Sequence, residues 1–343
     1  MRPHHLRALL ALRVSAALAL APAAASAQDG EAARVAYAAD TPRAPSPLAA
    51  ARPGPRAPRT DEAAAAGQPA SPAPAEAPST VRVVAHQRLI ALLNPMGAEH
   101  RFDLSVRAPL GDQRDLFFDG AHLQGGATSF VSPVYAIGGG FVELAPFSFL
   151  VLRGEVMGAG VWPIGMNAAG HYGLTSYDDD VRGEALPGAQ GGSARGLFAG
   201  GSVTLQGAIG LGDGVRLLFA SELGLTYVAL GDAPYYYSMK HDLVLAREDL
   251  VLTNSAFLGL EVRCASDLLL RVGAYDDVRH VPASGYVGHQ LGPIAMLSWE
   301  RIDPALSGLT IFVRGGGYTH HVFRAGEATI LGGVALDYDL GGL

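Results

Sequence analysis

The sequence predicts an all-β fold, namely a transmembrane antiparallel up-and-down β-barrel preceded by a disordered linker. Of the 343 residues, 49% are hydrophobic and 17% are charged, whereas soluble domains carry about 25% charged residues. A large apolar surface must therefore face something other than water. Beyond residue 27 no stretch approaches the ~18 consecutive apolar residues that a membrane-spanning helix needs, so strands are expected to cross the membrane instead.

Residues 1–27 are typical of a secretory signal peptide. A basic start precedes the apolar run Ala8–Ala21, and the small residues Ala25–Ala27 predict cleavage after Ala27. This segment contains three arginines and no acid, so its removal changes the net charge from −7 to −10. Such an acidic balance argues against nucleic acid as a partner. The single Cys264 permits no internal disulfide.

Residues 28–80 are predicted to form a disordered periplasmic linker. Alanine and proline dominate this segment, which offers few large apolar side chains for burial. Such a composition does not offset the entropy lost on ordering, so an extended and partly polyproline-like chain is expected. A plain spacer is the favoured interpretation, and contact with the cell wall or with a partner is the alternative.

Between residues 81 and 343, segments of ten to fifteen residues alternate between apolar and polar side chains, which is typical of strands with two different faces. In residues 215–227 most odd positions are apolar, and Arg216, Glu222 and Thr226 occupy even positions. These segments are longer than the usual 5–6 residues of globular strands. They suit a tilted crossing of a bilayer, which needs about 9–11 residues.

Twelve strands are predicted, over residues 82–93, 99–110, 114–124, 131–145, 148–162, 197–211, 215–230, 249–264, 267–280, 287–301, 307–322 and 327–340. The count falls to ten if 82–93 is a plug or linker and 114–124 belongs to a loop. Both counts are even, as in single-chain bacterial barrels. Short turns such as Gly212–Gly214 alternate with long loops at 163–196 and 231–248. This alternation predicts that both chain ends are periplasmic.

Residues 81–343 resemble the outer-membrane β-barrel proteins of Gram-negative bacteria. The resemblance rests on the signal peptide, the alternating loop lengths, Trp162 and Trp299 near opposite strand ends, and the final segment Leu336–Leu340. It implies a location in the outer membrane, with outer-membrane lipid and the barrel assembly machinery as partners. Such barrels usually end in an aromatic residue, whereas this sequence ends in Gly341-Gly342-Leu343.

The inward face of the predicted barrel carries charges of both signs. Strand parity assigns to it Asp103, Arg107, Glu143, Arg153, Glu155, Arg216, Glu222, Glu261, Arg263, Arg271, Glu300, Arg314, Asp337 and Asp339. Opposite charges in a narrow bore are expected to pair, and porins with aqueous channels need 16–18 strands. The sequence therefore predicts a lumen closed in its periplasmic half by an Arg–carboxylate network. The outer half is expected to be an open cup, lined by Thr226, Thr253, Ser255, Tyr275 and Tyr318.

Catalytic candidates come from two short resemblances. Tyr318–His321 is similar to the histidine strand of outer-membrane phospholipases, but those enzymes place a serine two residues after the histidine, where this chain is apolar. Asp276 and Asp277, with His280 near the end of the same strand and His320 across the barrel, are similar to the Asp-Asp and Asp-His pairs of omptin-like proteases. A solvated acidic rim is the alternative interpretation of the same residues.

The leading functional hypothesis is an outer-membrane barrel with a structural, binding or narrow-pore role. One alternative is a membrane-embedded hydrolase that uses the rim residues. Another is an adhesin or receptor that acts through its loops, where Tyr235, Tyr236 and Tyr237 offer an aromatic contact patch. No motif indicates a cofactor, and Asp178–Asp180 is interpreted as a solubilising loop tip rather than as a metal site. The sequence identifies no extracellular ligand.

Overall fold

The structure is a computed structural model, and it describes residues 81–111, 113, 115, 117–163, 171, 173–179, 192–300, 302–303 and 305–342. The predicted signal peptide and linker therefore lie outside the described residues. Within the described residues the strands are numbered β1 to β15 in chain order. Their bounds are Arg82–Leu93 (β1), Gly97–Pro109 (β2), His122–Val131 (β3), Tyr135–Phe147 (β4), Leu150–Val161 (β5), Gly173–Leu174 (β6), Ala194–Gly212 (β7), Val215–Leu230 (β8), Tyr235–Ser238 (β9), Leu243–Ala246 (β10), Glu248–Arg263 (β11), Leu268–Val281 (β12), Tyr286–Glu300 (β13), Leu306–His320 (β14) and Ala328–Gly342 (β15).

Twelve of these strands form a closed antiparallel barrel in the order β1-β2-β3-β4-β5-β7-β8-β11-β12-β13-β14-β15, and β15 pairs back onto β1. The predicted fold class is confirmed, with twelve barrel strands rather than ten. The first residue of β1 and the last residue of β15 lie at the same end of the barrel, which we call the near rim. The opposite end is called the far rim. The three short strands form a separate sheet in the order β10-β9-β6.

The third strand begins later than predicted, at His122 instead of residue 114. The preceding connection is a turn in which the Gln113 side-chain amide donates to two backbone carbonyl oxygens of that turn, at 2.6 and 3.0 Å. The glycine pair at 125–126 suggests a turn in the sequence but lies within β3. A Cβ on Gly126 would be 2.1 Å from the Leu104 carbonyl oxygen, so the close approach of β2 explains the glycine.

The predicted alternation of short and long connections also fails at this point. The near-rim connection between β2 and β3 is long, while the far-rim turn between β1 and β2 is short. The longest connections still lie at the far rim, after β5 and after β8.

Strand periodicity sorts the side chains between two faces. On β8, Leu218 and Glu222 are buried and point into the barrel, whereas Phe219 and Leu223 are exposed on its outside. Exposed apolar side chains of the other strands continue this outer belt, among them Val142, Val156, Leu205, Ile209, Leu258, Val272, Leu291, Val313 and Ile330. Apolar side chains alternating outward are typical of the lipid-facing surface of a transmembrane barrel.

Among the described residues, the structure contains no helix that is long and apolar enough to cross a bilayer.

The connection between β8 and β11 folds back into the far mouth of the barrel. We call residues 235–246 the plug hairpin: β9, the tip 239–242 and β10. Tyr236, Leu243 and Leu245 of this hairpin are fully buried in one apolar cluster with wall residues such as Phe198 and Val228. Burial of large apolar side chains on both partners stabilises the inserted hairpin.

Candidate functional site

Five charged side chains, extending from the middle of the barrel toward its near rim, form one cluster, the Arg153 network: Arg101, Asp103, Glu143, Arg153 and Glu155. The Arg153 guanidinium lies 3.4 Å from Glu143, 3.2 Å from Glu155 and 3.5 Å from Asp103. Arg101 lies 2.7 Å from Asp103. Side-chain exposures are only 3–9%, so water has little access. Each carboxylate has a guanidinium beside it, which offsets the cost of burying the charge.

A second cluster, the Glu261 network, lies on the other side of the bore. Arg216 donates to one oxygen of the Glu261 carboxylate at 2.7 Å, and Arg271 donates to the other at 2.9 Å. Arg271 also reaches the Ser298 hydroxyl at 3.3 Å. Glu261 and Arg271 are buried, while Arg216 is partly exposed toward the near rim.

The remaining predicted lumen charges have local partners. Arg314 is buried, binds Asp277 and donates to Gln290 at 3.1 Å. The other contacts are Arg107 with Gln124, Glu222 with Thr204, Arg263 with Glu300, Asp337 with His86, and Asp339 with Arg82. The structure thus places opposite charges and polar groups together along the inner wall, from the near rim to the level of Arg314.

The tip of the plug hairpin is tied to the barrel wall by Lys240, the single lysine of the chain. Its ammonium lies 3.0 Å from the Glu99 carboxylate on β2 and 4.0 Å from the centre of the Phe130 ring on β3. Tyr135 of β4 donates its hydroxyl to the same carboxylate at 2.5 Å. Glu99 is 1% exposed, so this ion pair is strengthened by its low-dielectric surroundings.

Asp242 anchors the same tip on the opposite side of the mouth. Its carboxylate accepts hydrogen bonds from Tyr318 at 3.0 Å and from Arg324 at 3.1 and 3.2 Å. The Tyr237 hydroxyl of the hairpin donates to it as well. His321 donates to the Asp242 backbone carbonyl at 2.8 Å. The hairpin tip therefore spans the far mouth, from β2 and β3 to β14 and the turn after it.

Burial acts on the titratable groups around this tip. It lowers the pKa of His241 to about 3, and the positive charge of Lys240 acts in the same direction. Burial also lowers the pKa of His321, although the Asp242 carboxylate opposes that shift. Burial and the neighbouring Asp242 raise the pKa of Tyr237 far above its ordinary value. Both histidines are therefore neutral and Tyr237 is protonated near neutral pH.

Two sequence-based expectations about the far half are wrong. The predicted open cup is occupied by the plug hairpin, because apolar hairpin residues find an apolar ring of wall residues at this level. The predicted tyrosine contact patch is not exposed: Tyr236 is fully buried, and the Tyr237 hydroxyl is bound to Asp242. Tyr235 packs edge-on against Tyr177 at 4.8 Å.

The catalytic candidates separate in the structure. Asp277 points inward and binds Arg314, so it belongs to the interior charges. Asp276 points outward near the far rim and lies 2.6 Å from His289 Nε2, while His289 Nδ1 lies 2.5 Å from the Thr319 hydroxyl. His289, rather than the predicted His320, is thus the histidine beside Asp276.

A β-bulge explains how Thr319 reaches this position. His289 lies opposite His320, but the next residue, Gln290, lies opposite Tyr318. Thr319 is therefore the extra residue of β14 and has no cross-strand partner. Bulges re-aim side chains and are frequent beside functional sites.

Sequence reasoning missed His289 and Thr319. His289 is separated from Asp276 by the turn after β12, and their proximity depends on the β12–β13 register, in which Asp276 lies opposite Leu291. An alignment of the two strands around the turn at 282–285 would have placed the pair together. The bulge at Thr319 has no comparable signal in the sequence.

The acidic run in the long far-rim loop has a local structural role where it is described. Asp179 accepts a hydrogen bond from the Thr175 amide at 2.6 Å, and Asp178 accepts one from the Tyr286 hydroxyl. Asp180 lies outside the described residues. Among the described side chains there is no group of three or more His, Cys, Asp or Glu arranged to hold a metal ion.

No protein-family model matches this chain, and no curated protein matches it. Solved structures do. LpxR from Salmonella typhimurium is similar at 11% identity and a TM-score of 0.40, over 74% of this chain and 99% of that one. The NanC porin is similar at 8% identity and a TM-score of 0.34, over 74% and 98%.

OmpT, an outer membrane protein of Vibrio cholerae, is similar at 9% identity and a TM-score of 0.33, over 76% of this chain and 97% of that one. Likenesses this distant do not distinguish among functions. The fold is established by the closed twelve-stranded barrel itself.

Proposed function

We propose that this protein is a closed, non-conducting β-barrel of the outer membrane that acts through its surface rather than by passing solutes. The membrane location is supported by the apolar outer belt of the barrel and by the secretory character of residues 1–27. In a closed barrel the backbone N–H and C=O groups of every strand are hydrogen-bonded to neighbouring strands, as a location within lipid requires.

One observation carries the closed state: the charged side chains of the Arg153 network are only 3–9% exposed. A water-filled bore would leave such side chains hydrated on the side that faces the lumen. The plug hairpin adds a second barrier at the far mouth through its contacts with Glu99 and Tyr318. The structure favours this proposal over a narrow pore, and the burial of Tyr236 takes the central residue out of the tyrosine patch expected of a loop receptor.

Single-channel recording of refolded protein in planar bilayers tests the closed state. Wild type is expected to show no steady conductance. Replacement of residues 235–246 by a short Gly-Ser linker should stay silent, because the Arg153 and Glu261 networks still fill the near half. The same replacement combined with Arg153→Ala and Arg216→Ala should conduct and prefer cations, since carboxylates then outnumber guanidinium groups around the bore.

A porin refolded in the same way serves as the positive control for insertion. Steady conductance of the wild-type barrel would overturn the proposal. Recovery of the protein in the soluble periplasmic fraction, or gel mobility unchanged by boiling, would overturn its membrane location, because closed barrels resist detergent unless heated.

A further inference from the structure

We propose that Asp276, His289 and Thr319 form an acyl-transfer site on the outside of the barrel that cleaves ester-linked acyl chains of membrane lipid. The first support is the hydrogen-bonded order of the three side chains. His289 Nε2 lies 2.6 Å from Asp276 Oδ1, and His289 Nδ1 lies 2.5 Å from Thr319 Oγ1. A hydroxyl, a base within reach of its proton and a third group that orients the base are the parts of a nucleophilic hydrolase.

The direction of these side chains separates them from the interior networks. On the same three strands Tyr275, Gln290 and Tyr318 are buried inside the barrel, so their neighbours Asp276, His289 and Thr319 face outward. The Asp276 and His289 side chains are 47% and 29% exposed, and Thr319 is exposed. The site is open to a substrate from the outside of the barrel.

The surroundings indicate the class of substrate. Leu291, directly opposite Asp276 on the neighbouring strand, is 47% exposed, and Val313 and Ile330 on the next two strands are 52% exposed. Polar reactive groups therefore lie at the far rim above apolar wall. This arrangement fits an amphipathic ester whose carbonyl lies at the membrane interface and whose acyl chain runs down the barrel.

Position also explains how a carboxylate is tolerated on this face. The cost of a charged side chain on the lipid side of a barrel falls toward the interfaces. Thr319 lies next to the last residue of β14 and His289 lies near the start of β13, both at the far rim. On the outward face nearby, Val272, Val278 and Val313 are apolar, whereas His280 and His320 are polar. Asp276 itself lies five residues before the end of β12, so the triad interrupts the belt in the half of these strands next to the far rim.

The reaction follows from the order of the hydrogen bonds, with the His289 tautomer assigned as the one that carries its proton on Nε2. His289, protonated on Nε2, donates to Asp276, and its Nδ1 takes the proton as Thr319 Oγ1 bonds to the ester carbonyl carbon. The imidazolium is stabilised by Asp276 and returns the proton to the leaving alcohol when the carbon–oxygen bond of the ester breaks. Water, deprotonated by the same histidine, then attacks the acyl-threonine and releases the fatty acid and the free Thr319 hydroxyl.

The full chain, refolded in detergent, is assayed on two substrates that share this chemistry. One is diacyl phospholipid in mixed micelles, the other purified lipopolysaccharide; released fatty acid is measured by mass spectrometry. Wild type is expected to release acyl chains from at least one of them, and the productive arm identifies the source. Thr319→Ala and His289→Asn should lower the rate about 100-fold or more, whereas Thr319→Ser should retain activity.

The control is His320→Asn, which changes the neighbouring exposed histidine and should leave the rate unchanged. A lipophilic β-lactone should add its mass to the peptide that contains Thr319 in wild type and not in Thr319→Ala, a result that a merely structural threonine would not give. Gel mobility before and after boiling verifies that each variant is folded.

Folded wild type that releases no fatty acid from either substrate would overturn the proposal, as would a Thr319→Ala variant with wild-type rate. The proposal rests on the proposed function only for the membrane location. Acyl release is measured in micelles and conductance in bilayers. Failure of the hydrolase proposal and failure of the closed-barrel proposal are therefore seen in separate experiments.

Discussion

The two halves of the barrel interior are filled by different means. In the near half the wall strands themselves supply the filling, as guanidinium and carboxylate groups that pair between adjacent strands along the inner wall. In the far half a separate segment, the plug hairpin, inserts an apolar sheet and a charged tip. The near half is therefore filled by the barrel strands themselves, whereas the far half is filled by a docked hairpin that belongs to a separate sheet.

The largest effect is expected where the framework itself is changed. Arg153→Ala removes the guanidinium shared by Asp103, Glu143 and Glu155 and leaves buried carboxylates with fewer partners. We expect a loss of about 3–5 kcal/mol in the free energy of unfolding. The measurement is the fraction of protein in vesicles that still migrates as the unboiled, folded band after equilibration at increasing urea concentrations.

Arg263→Ala is the matched control, because Arg263 is 37% exposed at the near rim and lies 3.4 Å from Glu300. Its loss should cost less than about 1 kcal/mol. Equal losses in the two variants would contradict the distinction between a packed near half and a hydrated lining.

A smaller effect is expected when acid acts on the docked hairpin. Because the pKa of His241 falls to about 3 on folding, the unfolded segment binds a proton below about pH 6.5 that the docked one does not. The contribution of His241 to the stability of the docked hairpin is therefore fully present above that pH and is lost as the pH falls. Hydrogen exchange of the hairpin amides, corrected for intrinsic rate, should be faster at pH 5.0 than at pH 7.5, while the wall strands stay protected.

The titratable groups around His241 are Lys240, Glu99, Asp277, Arg279, Tyr318 and His321. In the unfolded chain only the histidines among them have an ordinary pKa between pH 5.0 and 7.5. His241→Phe, which keeps the stacking on Phe198, should reduce the acid sensitivity. His321 shifts in the same direction and accounts for what is left. Hairpin protection that does not change between pH 7.5 and 5.0 would show that the docking energy does not depend on these histidines.

The smallest effect is expected at the buried hydroxyl of Tyr236. Within the described part of the chain this hydroxyl has no hydrogen-bond partner. Tyr236→Phe should therefore leave hairpin protection unchanged within about 0.5 kcal/mol. Tyr237→Phe, which removes a donor to the Asp242 carboxylate, should cost about 1.5–3 kcal/mol. The reverse order would mean that Tyr236 has the more important hydroxyl.

The same comparison shows how far the sequence determines the fold. Period-two alternation survives along a strand whatever surrounds it, so the inward direction of residues such as Arg153 and Glu261 was predictable. Insertion of the hairpin depends on tertiary contacts between Leu243 or Leu245 and the wall. The apolar run Leu243–Leu245 is the sequence feature that could have indicated a buried segment. It is short and lies within a long connection, so it does not predict insertion into the barrel.

Two other misses have local causes. The third strand lies at His122–Val131 rather than 114–124, and it contains Gly125-Gly126, of which Gly126 is required by the proximity of β2. The Asp276–His289–Thr319 arrangement depends on strand register and on a bulge. A one-residue change of register moves side chains to the other face, and residue pattern alone does not specify it.

The pairing of β1 with β15 differs from every other contact in the wall, because it joins residues from opposite ends of the barrel sequence, such as Arg82 and Gly342. The other neighbours are consecutive barrel strands, which form between nearby segments at lower entropic cost. Until this last pair forms, the sheet has two free edges, each a template on which another chain can aggregate. Closing that one seam removes both edges at once, so protection from aggregation arrives in a single step, when the final strand is in place.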